Sequence, residues 1–239
     1  MALEIELIFA LIVSGFSAMT AIFGITLLYQ IFSNKKKYSQ NKITSVFGLL
    51  ALSFILWAIA DLLWSILPFL GIEPAWGVPE YFYIAGYILG IISFLSFIKL
   101  SIKDSTFGEL VPFLLLSIPF TGLTILSLNY FIIPFENFSL FEFITAYLYP
   151  FCSGLILVLS SSIYSFMKKA GNFGRPLFLI AIGFLFCYLG DLAYTYYSLR
   201  ETYGFQGIFS DSVYIVQYIL TSIAFYMVYL QFKKEEIKK

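Results

Sequence analysis

Apolar residues fill the chain in long blocks, and the segments between blocks are short and either charged or turn-like. A helix needs about 20 mainly apolar residues to cross a bilayer. Seven stretches meet that length: residues 5–32, 43–67, 79–100, 110–132, 140–167, 176–199 and 211–232. The separators read SNKKKYSQNK, PFLGIEPAWGVPE, SIKDSTFGE, IPFENFS, KKAGNFGR and LRETYGFQGIFSD. The pattern predicts an all-α polytopic membrane protein with seven transmembrane helices. Pro79 and Pro176 fall near helix starts, where a missing N–H costs little, whereas Pro119 and Pro150 fall inside spans and predict local kinks. No segment reads as a separate soluble domain.

Composition agrees with this. Of 239 residues, 60% are hydrophobic and only 12% charged, against about 25% charged in a typical soluble domain. Net charge is zero, so no bulk field points to nucleic acid. The absence of histidine excludes serine–histidine hydrolysis, histidine-ligated zinc or haem, and histidine proton shuttles. Cys152 and Cys187 lie in apolar runs and read as small core residues. The first residues carry Glu4 and Glu6, unlike the positive start of a signal peptide. No cysteine-based lipid-anchor motif is present, and neither cofactor nor metal is expected.

The charges that remain are arranged on one side. With the N-terminus outside, the cytoplasmic segments carry Lys35, Lys36, Lys37, Lys42, Lys99, Lys103, Lys168, Lys169, Arg175, Lys233, Lys234, Lys238 and Lys239; only Arg200 is outside. The positive-inside rule therefore predicts a multi-pass protein of the cell membrane with its C-terminus in the cytoplasm. Asn137-Phe138-Ser139 is a sequon in a predicted outer loop.

Two parts of the chain resemble each other. FILWAIADLLWSILPFLGIEPAWGVPEYFYIAGYILG aligns with FLFCYLGDLAYTYYSLRETYGFQGIFSDSVYIVQYILT. Asp61 falls on Asp191, Trp64 on Tyr194 and Ser65 on Thr195. After one inserted residue, Glu80 falls on Asp211, Tyr83 on Tyr214 and Tyr87 on Tyr218. Two acids and two tyrosines in register are the informative part, because apolar helices share leucine and isoleucine readily. Spans 1 and 5 match only weakly, Tyr29 on Tyr164 being the best register. The expected organisation is a 3+1+3 parallel repeat: residues 1–103 (spans 1–3), a linker span in 104–137, and residues 138–239 (spans 5–7). Such repeats often hold a ligand between the halves.

Asp61 lies six residues before Leu67, about 9 Å along the helix, so both repeated aspartates sit below the outer surface. An ionisable residue there should face the bundle interior. Helical spacing adds Trp57 and Trp64 to the face of Asp61, and Cys187, Tyr188, Tyr194 and Thr195 to that of Asp191. Glu80 and Asp211 open spans 3 and 7, where a helix dipole favours acids, so both also read as caps. Tyr83, Tyr87, Tyr214 and Tyr218 continue down one face of each helix. Two readings of this set stay open. One is an outward-facing pocket for a cationic or amphipathic molecule, held by carboxylates and cation–π contacts. The other is interhelical glue, each aspartate taking a tyrosine or tryptophan donor. Nothing basic lies at their depth, so proton coupling is a further option.

The phrase around Asp61-Leu62-Leu63-Trp64 followed by PEYFYIAGYILG resembles the multi-span N-terminal sensor regions of bacterial and archaeal histidine kinases and diguanylate cyclases. The resemblance covers spans 2–3 and 6–7. Only KKEEIKK follows span 7, so it implies a free-standing sensor working through a membrane or cytoplasmic signalling partner. The 3+1+3 layout is also similar to SWEET and PQ-loop transporters and to microbial rhodopsins, without a Pro-Gln motif or a mid-span lysine in span 7. Tyr188-Leu189-Gly190-Asp191 resembles part of the Gly-x-Gly-Asp motif of intramembrane aspartyl proteases, but the first glycine is a tyrosine and no Pro-Ala-Leu follows. The expected function is a ligand-binding or sensory membrane protein, leaning away from catalysis, with lipid bilayer around it and a small molecule or lipid as ligand. Proton- or cation-coupled transport and aspartyl proteolysis are the alternatives.

Overall fold

The computed structural model describes residues 2–34, 42–72, 77–101, 115, 118–120, 122–127, 130, 140–167, 173–199 and 203–237. Nearly all of these are helical, with no strand among the described residues. Six long helices account for most of them: α1 (Ala2–Ser33), α2 (Lys42–Ile66), α3 (Val78–Ser101), α5 (Leu140–Met167), α6 (Gly174–Leu199) and α7 (Tyr203–Ile237). A shorter apolar helix, α4 (Ile118–Ser127), lies within the expected fourth span. The rest of that span is mostly outside the described residues, as is the Asn137 sequon. The six long helices are each long and apolar enough to cross a membrane, which makes the chain a multi-pass helical membrane protein.

Burial follows the logic of lipid rather than water. Ile8, Leu11, Ile22, Ile25, Ile88, Ile92 and Ile223 point outward, while Ser14, Ser17, Thr20, Ser53, Asp61, Ser93, Ser153, Asp191 and Thr221 are buried. In hydrocarbon, polar side chains are stable only when turned toward other helices. Several of them bond across helices. Ser14 donates to the carbonyl of Asp61 at 2.8 Å, Ser53 to that of Gly86 at 2.7 Å, and Ser93 to that of Val46 at 2.7 Å. Thr20 pairs with Ser222 at 2.9 Å.

The long helices form a closed ring in which neighbours pack in the order α1, α2, α3, α5, α6, α7 and back to α1. Its interior holds an aromatic stack. Phe54 on α2 and Phe184 on α6 meet with centroids 6.0 Å apart. Phe54 also meets Phe225 on α7 at 5.7 Å, and Phe184 meets Phe94 on α3 at 5.9 Å. Helix α4 lies outside the ring, its Phe120 against Tyr188 of α6 at 4.7 Å.

Local breaks are chemically explicable. A short 3₁₀ turn, Leu67–Leu70, ends at Gly71 with φ 70°, the left-handed cap that glycine adopts without strain. Pro150 lies inside α5 and cannot bond the carbonyl four residues earlier. That carbonyl, on Ala146, instead accepts the Thr195 hydroxyl at 3.4 Å. Helix α7 starts eight residues earlier than the sequence predicts. Gly204 and Gly207 each cost helix propensity of about 1 kcal/mol, but Gly207 and Ser210 are buried there, and Ser210 donates to the carbonyl of Gly190 at 3.0 Å.

Candidate functional site

Helices α2 and α6 each carry one buried aspartate near the end remote from their basic residue. Asp61 is 6% exposed and Asp191 2%. Each accepts two phenol donors. The Tyr83 hydroxyl donates to Oδ1 of Asp61 at 2.5 Å and the Tyr218 hydroxyl to Oδ2 at 2.6 Å. The Tyr214 hydroxyl donates to Oδ1 of Asp191 at 2.7 Å and the Tyr87 hydroxyl to Oδ2 at 2.6 Å. Tyr83 and Tyr87 stand one turn apart on α3, as do Tyr214 and Tyr218 on α7. That spacing places two phenols on one face, about 6 Å apart along the axis. Each helix gives its first tyrosine to the aspartate of the preceding helix and its second to the other aspartate. The four bonds thus join α2, α3, α6 and α7 in one network.

Serines from the remaining two ring helices lie beside the carboxylates, Ser17 of α1 near Asp61 and Ser153 of α5 near Asp191, while their hydroxyls donate to the carbonyls of Ser14 and Tyr149 on their own helices. The Cys187 thiol lies 3.8 Å from the Tyr87 hydroxyl and 4.0 Å from Oδ2 of Asp191, and the Gln217 side chain reaches that thiol. Trp57 closes the other side. Its indole N–H donates to the carbonyl of Tyr83 at 3.1 Å, and its ring meets that of Tyr87 edge-on at 4.9 Å.

Two glycines permit this. A methyl group at Gly86 would collide with the indole of Trp57, and one at Gly190 would sit 2.6 Å from the Tyr214 ring. The helices approach closely enough for these aromatic residues to cross only because neither position carries a Cβ.

The other candidates fall elsewhere. Trp64 and Tyr194 meet each other edge-on at 6.3 Å. Tyr188 turns away from Asp191 toward α4, where its hydroxyl pairs with Thr124 at 3.0 Å. Glu80 is buried in the first turn of α3, as expected. Asp211 departs from its expected place: because α7 starts at Tyr203, it lies in the third turn and is half-buried, outside the reach of the helix-start dipole. Sequence reasoning missed Ser17 and Ser153. The three-residue spacing of Ser14, Ser17 and Thr20 in an otherwise apolar helix is the signal for the first.

The charge at the cluster has no basic partner along its own helices. Lys42 opens α2 and Arg175 stands at the start of α6, roughly 24–29 Å from the aspartates at helical rise. An ionised carboxylate offers about four lone-pair sites, so each aspartate keeps acceptor capacity beyond its two phenols. The group can therefore hold a proton or a cation among aromatic rings, or serve simply to fasten helices. Among the described residues no group of histidine, cysteine and carboxylate side chains is arranged to hold a metal ion.

The fold and the site define a multi-pass helical membrane protein with a buried aspartate–tyrosine cluster at its centre. Comparison with protein-family models, with curated proteins and with solved structures gives no match.

Proposed function

We propose that the chain is a non-catalytic, membrane-embedded ligand-binding or sensory protein whose site is the aspartate–tyrosine cluster. In this reading the chain has seven spans, organised as two parallel three-helix copies joined by span 4, and the cluster forms the seam between them. The observation that carries it is the exchange of tyrosines: each aspartate takes one phenol from its own copy and one from the other. A ligand that competes for either carboxylate therefore changes how the two copies are held together. Ring contacts between residues 130 apart, Phe54 with Phe184 and Trp64 with Tyr194, also support a two-fold relation.

The basic residues at the far ends of α2, α6 and α7 support an orientation in which that end faces the cytoplasm and the cluster faces outward. Binding is favoured over hydrolysis because both oxygens of each aspartate accept phenols, whereas aspartyl proteolysis needs two carboxyls that share a proton. A second reading, proton- or cation-coupled transport, draws on the same acids and on their remoteness from any basic residue of α2 or α6.

A broad small-molecule thermal-shift screen of the purified chain tests the first reading. Hits should stabilise the wild type and lose their effect in Asp61→Asn and Asp191→Asn. Folded variants that respond to every hit as the wild type does would remove the cluster as the site. Transport predicts pH-dependent uptake into proteoliposomes that disappears in Asp61→Asn; no accumulation across a wide panel would count against it.

A further inference from the structure

A fifth tyrosine belongs to the cluster without sharing its bonds. Tyr149 of α5 is 5% exposed, and its ring lies against the rings of Tyr83 and Tyr87 at 6.1 and 5.7 Å. Those are the two α3 phenols that supply Asp61 and Asp191. The Tyr149 hydroxyl is buried and makes no hydrogen bond. A buried hydroxyl without a partner carries a desolvation cost of about 1–3 kcal/mol, and phenylalanine would fill the same volume without it.

The surrounding chemistry restricts what could satisfy this group. Two carboxylates with spare acceptor capacity and no basic partner on their helices call for a cation. The rings of Trp57, Tyr87 and Tyr149, packed on one another beside the network, suit an organic ammonium, whose charge is attracted to aromatic rings. The Tyr149 proton calls for an acceptor on the same molecule. We propose that the cluster binds a small hydroxylated ammonium ion, with the ammonium at the Asp61–Asp191 phenol network and the hydroxyl oxygen accepting from Tyr149. This rests on the reading of the cluster as a ligand site and names its ligand class. Tyr149 is then a specificity-determining residue.

The test compares 2-aminoethanol with ethylamine, which lacks only the hydroxyl, and with ethylene glycol, which lacks the ammonium. Affinities are measured by calorimetry on the full chain in detergent. The wild type should prefer 2-aminoethanol to ethylamine by about five- to tenfold, as expected for one hydrogen bond to an otherwise unsatisfied group. Ethylene glycol should not bind. In Tyr149→Phe the preference should fall to about one. Equal affinity of the two amines for the wild type overturns the inference, as does a preference that survives in Tyr149→Phe; both leave the cluster reading standing. Wild-type silence toward both amines also overturns it. In that case, a screen hit that still depends on Asp61 preserves the cluster reading, and no such hit removes both. Should Tyr149→Phe fail to fold, the wild-type comparison of the two amines decides alone.

Discussion

The two aspartate centres have the same bonds but different surroundings. Asp61 and Asp191 each accept two phenols, one from α3 and one from α7, and each has a serine of a further helix beside it. One turn before each aspartate the likeness ends. Trp57 precedes Asp61 and Cys187 precedes Asp191. On the Asp61 side a large ring is pinned by its N–H to the carbonyl of Tyr83 and presses on Gly86. On the Asp191 side a small thiol leaves room for the Gln217 side chain. The lesson is that the hydrogen-bonded frame is held constant while the packing beside it varies. The frame reads as the shared requirement of both centres, and the neighbours as what makes each centre particular.

The largest expected effect comes from breaking the frame. Asp61→Ala and Asp191→Ala each take the carboxylate partner from one buried and one partly buried phenol and should cost about 2–4 kcal/mol, from the usual penalties for lost bonds of buried groups. Reversible unfolding in mixed micelles would measure both. Equal losses would show that the two frames are equivalent, and a silent variant at either centre would show that they are not.

Next come the close approaches. Gly86→Ala and Gly190→Ala should each destabilise by about 1–3 kcal/mol, the usual range for overpacking. Gly86 should be the worse, because a methyl there would sit closer to the indole than the 2.6 Å that separates one at Gly190 from the Tyr214 ring. The same unfolding assay ranks them.

The smallest effect belongs to the neighbours. Trp57→Phe removes an interhelical bond and part of a buried ring, and should cost about 1–2 kcal/mol, while Cys187→Ala should cost less than about 1 kcal/mol. A Cys187→Ala loss as large as that of Trp57→Phe would mean the thiol is part of the frame.

Much of this arrangement was legible in the sequence, and the gaps have physical causes. Six of the seven apolar blocks correspond to long helices because hydropathy over some 20 residues is a strong signal. The acids and the tyrosines one turn apart were legible because helical period puts them on one face. Their exchange between centres was not, since it depends on which helices pack as neighbours. Standing three residues before Asp191, Tyr188 reads as a neighbour of the carboxylate. Cys187, four before, lies about 100° away around the helix; it faces the carboxylate and Tyr188 faces α4. Asp211 reads as a helix start because TYGFQGIFS has the composition of a turn. Burial of Gly207 and Ser210 against α6 outweighs that local preference. Tyr149 carries no sequence signal, because nothing in the order of residues says that its ring meets Tyr83 and Tyr87.

The most direct measurement of the central claim is a pair of double-mutant cycles across the seam: Asp61→Ala with Tyr218→Phe, and Asp191→Ala with Tyr87→Phe. If these bonds tie the halves together, each cycle should return a coupling of about 1–2 kcal/mol, within the range for interhelical bonds in membranes and bonds to charged groups. Additivity within about 0.3 kcal/mol in both cycles would contradict the claim that the exchanged tyrosines hold the two centres as one site.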